Sequence, residues 1–112
     1  MIKYSKLLKP DLHFRLLNVL ENNPDISQRE LAKKLHISLG AVNYCLKALV
    51  DIGHVKAGNF KKNPKKSIYL YLLTPKGIAE KSVLAADFLK RKINEYHLLE
   101  EEIKDLESRS KI

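Results

Sequence analysis

The chain has 112 residues, of which 45% are hydrophobic and 30% are charged. This length and balance predict one soluble globular domain, and they exclude a disordered chain or a bilayer-spanning segment of about 20 apolar residues. The formal net charge is +8. Residues 1–74 carry 13 basic and 5 acidic side chains, whereas residues 75–112 carry 8 of each. This asymmetry indicates one surface suited to a polyanion and a second surface suited to a different partner.

The sequence lacks the motifs of enzymes and of targeting signals. Lysines interrupt the apolar residues of the first ten positions, which argues against a signal peptide. There is no glycine-rich phosphate loop or nucleophile motif, and the histidines are too far apart in sequence for a metal site. We therefore expect a cytoplasmic protein that is not an enzyme, uses no cofactor or metal and binds no membrane. We expect each histidine at a surface or boundary position: His13, His36, His54 and His97.

The single cysteine, Cys45, excludes an internal disulfide and is typical of a reducing compartment. Its place beside the predicted core residue Leu46 indicates a small packing residue. A redox-sensing thiol is the alternative interpretation, because oxidation there would disturb the helix that carries it.

Three helices are predicted in the first half of the chain. Leucines at helical spacing predict the first over Asp11–Asn22. Ser27 opens a capping box and predicts a short helix over Gln28–Leu35. Ser38 is the next N-cap candidate, before a helix over Leu39–Ile52. Val50 should continue the apolar, core-facing side of the third helix. One apolar core should lock the second and third helices together: Ile26, Leu31, Ala32, Leu35, Ile37, Val42, Leu46 and Leu49.

A β-hairpin and one long helix are predicted next. Val55–Phe60 and Ser67–Leu73 are rich in residues that favour strands, and the turn between them, Lys61–Lys66, holds four lysines. Thr74 and Pro75 then begin a helix that continues to about Arg109, roughly 52 Å long at 1.5 Å per residue. The predicted fold is mainly α with a small β-hairpin: a winged helix-turn-helix domain over 11–74 and a dimerisation helix over 75–109.

This order of elements is typical of DNA-binding domains whose third helix enters the major groove. Asn43 could then pair with adenine, and Leu39 or Ala41 could touch a thymine methyl group. Tyr44 and Lys47 suit phosphate. The candidate DNA-binding residues also include the start of the second helix and the hairpin tip: Ser27, Gln28, Arg29, Ser38, Leu39, Gly40, Ala41, Asn43, Tyr44, Lys47, Lys61, Lys62, Asn63, Lys65 and Lys66.

The alternative is a winged-helix adaptor that binds another protein, with the lysines merely solvated. The two interpretations differ in geometry: DNA binding is favoured if the lysine tip and the start of the third helix lie on one positive surface, and the adaptor is favoured if they point apart.

The distal part of the long helix carries a row of apolar residues, which we call the apolar stripe: Leu89, Ile93, Tyr96, Leu99, Ile103 and Leu106. Such a stripe is costly in water, so we expect a homodimer through this helix, and a helix folded back on its own core is the alternative. Lys90–Lys92 and Glu100–Glu102 lie symmetrically about Tyr96. An antiparallel pair crossing at Tyr96 would therefore match opposite charges, unless these charges only solvate the helix.

The residues also carry a resemblance to a known family. Asp25–Val55 is similar to the winged-helix core of MarR-type transcription regulators. The longer stretch Phe14–Ile103 resembles their exopolysaccharide-associated subgroup, through VNYCLKAL at Val42–Leu49, YLLTPKGI at Tyr71–Ile78, FLKRK at Phe88–Lys92 and the following Glu95-Tyr96. The resemblance implies a dimeric regulator that binds double-stranded DNA at genes linked to exopolysaccharide synthesis.

Overall fold

The computed structural model describes residues 8–110, apart from the side chains of Lys62, Asn63 and Lys66. It consists of four helices and one antiparallel hairpin within that range: α1 Pro10–Asn22, α2 Gln28–Leu35, α3 Leu39–Asp51, β1 Val55–Asn63, β2 Lys66–Leu73 and α4 Pro75–Ser110. The predicted fold class is confirmed. The bounds of α2 agree with the prediction, and those of the other helices differ by one residue at an end.

Side-chain caps fix the starts of α2 and α3. The Ser27 hydroxyl accepts the Glu30 N–H at 3.1 Å, and the Glu30 carboxylate accepts the Ser27 N–H at 3.2 Å. The Ser38 hydroxyl accepts the Ala41 N–H at 3.0 Å. Between the two helices, His36 adopts a left-handed φ of 56° that ends α2 and reverses the chain. The tight turn of the helix-turn-helix motif therefore follows from local hydrogen bonding.

The hairpin is longer than the sequence predicts. Its strands continue to Asn63 and resume at Lys66, with an irregularity in the pairing between Lys61 and Asn63. The prediction of a six-residue turn over 61–66 is therefore wrong. The turn itself is only Pro64-Lys65, because a two-residue connection lets the flanking polar residues pair as strands.

The core lies between the three short helices and the base of the hairpin. Leu16, Leu17, Leu31 and Leu49 are fully buried, and each such leucine contributes about 1.5–3 kcal/mol. Cys45 is also fully buried, as expected of a packing residue. Val50 is 40% exposed, so its predicted place in the core is wrong. It lies about 100° around α3 from Leu49 and faces the hairpin side instead.

The first half of α4 packs on the winged-helix body, by which we mean residues 8–74. The ring centroids of Phe14 and Phe88 are 4.8 Å apart, and Leu84 contacts the core. Lys81 pairs with Glu21 of α1, and nearly three turns further along Arg91 pairs with Asp11. The alternative of a helix folded back on its own core thus describes this half of α4.

The second half of α4 extends beyond the body. A helix of 36 residues is about 54 Å long, and the molecule measures 70 × 31 × 23 Å. Every residue from 93 to 110 is exposed except Glu100, which is partly covered by its own helix. The six residues of the apolar stripe are 48–63% exposed. Within residues 8–110, no helix combines the length and the apolar composition needed to cross a bilayer.

Two histidines are closer together than the sequence suggests. His13 Nε2 lies 3.0 Å from His54 Nδ1, and the nearly parallel rings have centroids 5.1 Å apart. His54 is only 5% exposed, so its expected surface or boundary position is wrong. The physical reason is that His13 lies one turn before Leu17 on the buried face of α1, opposite the chain between α3 and β1.

The start of α4 is hydrogen-bonded to the segment between α3 and β1, which contains His54. The Thr74 N–H donates to the His54 carbonyl at 3.0 Å, and the Gly77 N–H donates to the Thr74 hydroxyl at 3.1 Å. A Cβ atom on Gly77 would lie 2.1 Å from the His54 carbonyl oxygen. Glycine is therefore required here because the backbone of α4 lies directly against the backbone of residue 54.

Candidate nucleic-acid interface

The outward face of α3 is a narrow row of exposed residues that is apolar at the start of the helix and polar further along. Leu39, Asn43 and Lys47 are exposed and follow one another at intervals of four residues, so they lie along one side of the helix. Ser38 and Gly40 are also exposed at its start, and Ala41 and Tyr44 are half-buried. All the candidates named on this helix therefore have at least partial access to solvent.

A cleft separates this row from the hairpin. Its lining comes from α2, α3 and both strands: Gln28, Asn43, Leu46, Lys47, Val50, Ala57, Tyr69 and Tyr71. Leu46 and Tyr71 are buried, whereas Asn43, Lys47 and Tyr69 are exposed. The outward face of α3 beyond its first turn and one face of the hairpin thus border a single concave surface, and its lining includes neither the start of α3 nor the exposed Lys61 and Lys65 of the tip.

The hairpin tip continues beyond the cleft. Lys61 and Lys65 are exposed. The side chains of Lys62, Asn63 and Lys66 lie outside the described residues, although their backbones form the ends of the two strands. The tip therefore presents at least two cations to solvent.

The two helix starts differ in their suitability for phosphate. At α2, Arg29 is exposed, but the Glu30 carboxylate occupies the N-terminus, and its hydrogen bonds with Ser27 lower its pKa. This keeps a negative charge near Arg29 and weakens the attraction for an anion. The first turn of α3 has no acidic residue, and Ser38 caps only the Ala41 N–H. The start of α3 is thus the better phosphate position.

Three polar side chains from separate elements form a connected chain in the cleft. The Gln28 amide donates from Nε2 to the Tyr71 hydroxyl at 3.1 Å. The Asn43 amide donates from Nδ2 to Gln28 Oε1 at 3.4 Å. Sequence reasoning named Gln28 and Asn43 but missed Tyr71 and the connection, because residues 28, 43 and 71 have no local pattern that relates them.

Cys45 lies behind this surface, on the buried side of α3. Burial raises the pKa of the Cys45 thiol, which disfavours the reactive thiolate. Within residues 8–110, no three His, Cys, Asp or Glu side chains are close enough to hold a metal ion.

Comparisons with known proteins agree with this architecture. A family model described as winged helix-turn-helix DNA-binding matches residues 10–56. Among curated proteins, no sequence matches the chain.

Several solved structures have a similar fold. The E41A mutant of Lactococcus lactis ZitR has 22% sequence identity and a TM-score of 0.60, with 80% of this chain and 59% of that chain covered. Staphylococcus aureus MarR, in complex with salicylate and kanamycin, has 19% identity and a TM-score of 0.55, with coverage of 85% and 67%. Streptococcus pneumoniae FabT in complex with DNA has 17% identity and a TM-score of 0.54, with coverage of 94% and 82%.

These similarities concern the path of the backbone, since the identities lie below 25%. The chain also spans only 59% of the length of the ZitR mutant. The family model covers α1 to the start of β1, and the hairpin that follows is observed in the structure. Together with the structural similarities, these findings show that this chain has a winged helix-turn-helix fold of the kind found in the MarR, ZitR and FabT structures.

Proposed function

We propose that this protein is a transcription regulator that binds specific sequences of double-stranded DNA as a homodimer. The observation that carries the proposal is the cleft in which the outward face of α3 meets one face of the hairpin. The excess of positive charge in residues 1–74 supports a polyanionic partner.

In this proposal, residues 11–74 form the DNA-binding part and α3 lies in the major groove. Asn43 reads adenine, and Leu39 or Ala41 contacts a thymine methyl group. Tyr44, Lys47, Arg29 and the start of α3 contact phosphates, and the lysines of the hairpin tip contact phosphate or the minor groove.

The second half of α4 supplies the dimer interface. Its apolar stripe remains exposed in the single chain, which supports burial against a second copy. The homodimer places two copies of α3 on one duplex, so the operator should be an imperfect palindrome with half-sites about 10 base pairs apart or a multiple of that.

For the orientation of the two helices, we propose the antiparallel crossing at Tyr96. The apolar stripe is self-complementary in that arrangement, because Leu89 meets Ile103 and Ile93 meets Leu99. Charge contributes less than the sequence suggests, since Arg91 already pairs with Asp11 and Lys92 with Glu95 at 3.2 Å. Burial of the stripe is therefore the main driving force.

The genes under control are proposed from the resemblance of Phe14–Ile103 to exopolysaccharide-associated MarR-type regulators. Mapping the sites that the protein occupies on its own genome tests this part. Sites upstream of genes for polysaccharide assembly support it, and sites confined to other genes contradict it.

The test of DNA binding is a mobility-shift titration of the full chain on duplexes from its own upstream region and on random duplexes. Asn43→Ala should weaken binding to the preferred duplex by about 1–3 kcal/mol and change binding to random DNA little. Asn94→Ala, an exposed asparagine on α4, is the matched control and should change neither. No preference of the unaltered chain for any duplex would favour the adaptor.

A further inference from the structure

The hydrogen-bonded chain in the cleft has one end that is fixed in place. Tyr71 lies at one end, 9% exposed, and its N–H donates to the Pro24 carbonyl at 3.0 Å. Its ring packs edge-on against Tyr69, with centroids 5.3 Å apart. Tyr71 is therefore held by backbone and side-chain contacts, and its hydroxyl is a fixed point for the groups that reach it.

Gln28 connects the Tyr71 hydroxyl to Asn43 of α3. Its Nε2 donates to the Tyr71 hydroxyl, so its Oε1 faces Asn43. The Tyr71 hydroxyl can accept or donate, so Gln28 can offer Asn43 either its oxygen or its N–H, and one polar group of the Asn43 carboxamide is engaged in both cases. The contact between the two amides is long, at 3.4 Å, so it restrains the position of the Asn43 side chain more than it adds to affinity.

The position of the Asn43 carboxamide decides whether it can bind both polar atoms of a base. With one polar group of the carboxamide engaged by Gln28, an oxygen lone pair and an N–H remain for a ligand. Adenine presents one donor and one acceptor on its major-groove edge, which match this pair, whereas guanine presents two acceptors. An asparagine free to change its rotamer would hold both bonds for less of the time and would discriminate less between the two bases.

We infer that Gln28 and Tyr71 are positioning residues that hold the Asn43 carboxamide where it can make both hydrogen bonds to adenine and so prefer adenine over guanine. The inference rests on the proposed function, since it concerns how the DNA is read. It also assigns Gln28 a role different from phosphate contact. The hairpin thereby influences base recognition through Tyr71, in addition to any contact of its tip with the backbone.

The experiment selects binding sites for the full chain from a randomised duplex library. Asn43→Ala first identifies the base position that Asn43 reads, as the position at which the selected motif loses its preference. At that position, Tyr71→Phe and Gln28→Leu should each lower the preference for adenine over guanine at least about fivefold, the lower end of what one bidentate contact provides. Affinity for an unselected duplex should change by less than about twofold.

Two further variants separate positioning from a structural role. Gln28→Glu should retain the adenine preference, because a carboxylate accepts both the Tyr71 hydroxyl and the Asn43 N–H, although overall affinity should fall. Tyr69→Phe removes a hydroxyl from the same cleft and should leave the preference unchanged. Thermal unfolding verifies that each variant is folded, and if Tyr71→Phe does not fold, Gln28→Leu and Gln28→Glu decide the question.

Failure of the positioning role and failure of the proposed function give different results in this experiment. If the unaltered chain selects a motif but Gln28→Leu and Tyr71→Phe leave the Asn43 position unchanged, or relax other positions instead, the positioning role is wrong and the proposed function stands. If the unaltered chain selects no motif, the proposed function itself fails. Loss of the preference in Gln28→Glu as well would overturn the argument that the hydrogen bonds of residue 28 position Asn43.

Discussion

Leu16, Leu17 and Leu49 of the winged-helix body are fully buried, whereas Leu99 and Leu106 in the second half of α4 expose more than half of their side chains. Both regions are helical and rich in leucine, yet among residues 8–110 only the body has a second layer against which its leucines pack. The comparison teaches that burial of a leucine depends on a neighbouring element as well as on helical spacing. The second half of α4 has an apolar face that the other described residues leave uncovered, which is the basis of the proposed dimer.

The largest expected effect comes from Leu99→Asp combined with Ile103→Asp. Two charges on the apolar stripe should prevent burial against a second copy, so the variant should be monomeric and bind a palindromic operator at least about 100-fold more weakly. Sedimentation velocity and a DNA titration measure the two effects.

The variant should still unfold cooperatively, because Leu99 and Ile103 are exposed in the single chain, and it should lose only the concentration-dependent stabilisation that association provides. Leu98→Asp is the matched control, since Leu98 is equally exposed but lies outside the stripe. An intact dimer in the double variant would contradict the proposed interface. Cross-linking that joins Lys92 to Lys92, but never to the segment 100–102, would contradict the antiparallel crossing.

A second expected effect concerns the junction between the two regions. Gly77→Ala should destabilise the body by about 1–3 kcal/mol, although alanine favours a helix over glycine, because the added Cβ would overlap the His54 carbonyl. Urea unfolding measures the change. Gly40→Ala is the control for helix propensity, since its Cβ would meet nothing closer than 4.0 Å. Equal stability of Gly77→Ala and the unaltered chain would show that α4 is not seated on residue 54.

The hairpin tip should account for much of the salt dependence of DNA binding. If each subunit uses Arg29, Lys47 and two tip lysines, a dimer neutralises about 8 phosphates, and the slope of log K against log salt is about −7. Replacing Lys61, Lys62, Lys65 and Lys66 by alanine should bring the slope to about −4 and weaken binding about tenfold or more.

The control for this charge change is Lys90→Ala with Lys104→Ala, two cations on α4 that should leave the slope unchanged. Fluorescence anisotropy at several salt concentrations gives both slopes. A slope unaffected by loss of the tip lysines would mean that the tip does not touch DNA.

The smallest expected effect is a pH dependence of stability. Burial is the main cause of the lowered pKa of both His13 and His54. Repulsion from His54 lowers the pKa of His13 further, and repulsion from Lys76 lowers that of His54 further, whereas Glu80 acts in the opposite direction on both. Because the folded state binds these protons less readily than the unfolded state, stability should be highest above pH 6.5 and fall as pH drops below it.

Urea unfolding at pH 7.5 and pH 5.5 measures this loss. His54→Gln should reduce the loss between the two pH values, whereas His36→Gln, at an exposed position, should retain it. A stability that rises toward pH 5.5 would contradict the sign of the argument.

The sequence alone determined the elements whose causes are local. Capping by Ser27 and Ser38 fixed the starts of α2 and α3, Pro75 placed the start of α4, and the period of the apolar residues distinguished helices from strands. The exposed stripe on α4 was also predictable, because helical spacing alone aligns its six residues. The length of the turn at the hairpin tip was not, since pairing of residues 61–63 depends on the partner strand.

The tertiary structure alone decided which residues from different elements meet. The chain from Tyr71 through Gln28 to Asn43, the contact of His13 with His54 and the close approach of Gly77 to residue 54 all join positions more than ten residues apart. Local propensity and periodicity orient a side chain within its own element. They carry no information on the relative placement of two elements, which is set by packing of the whole core.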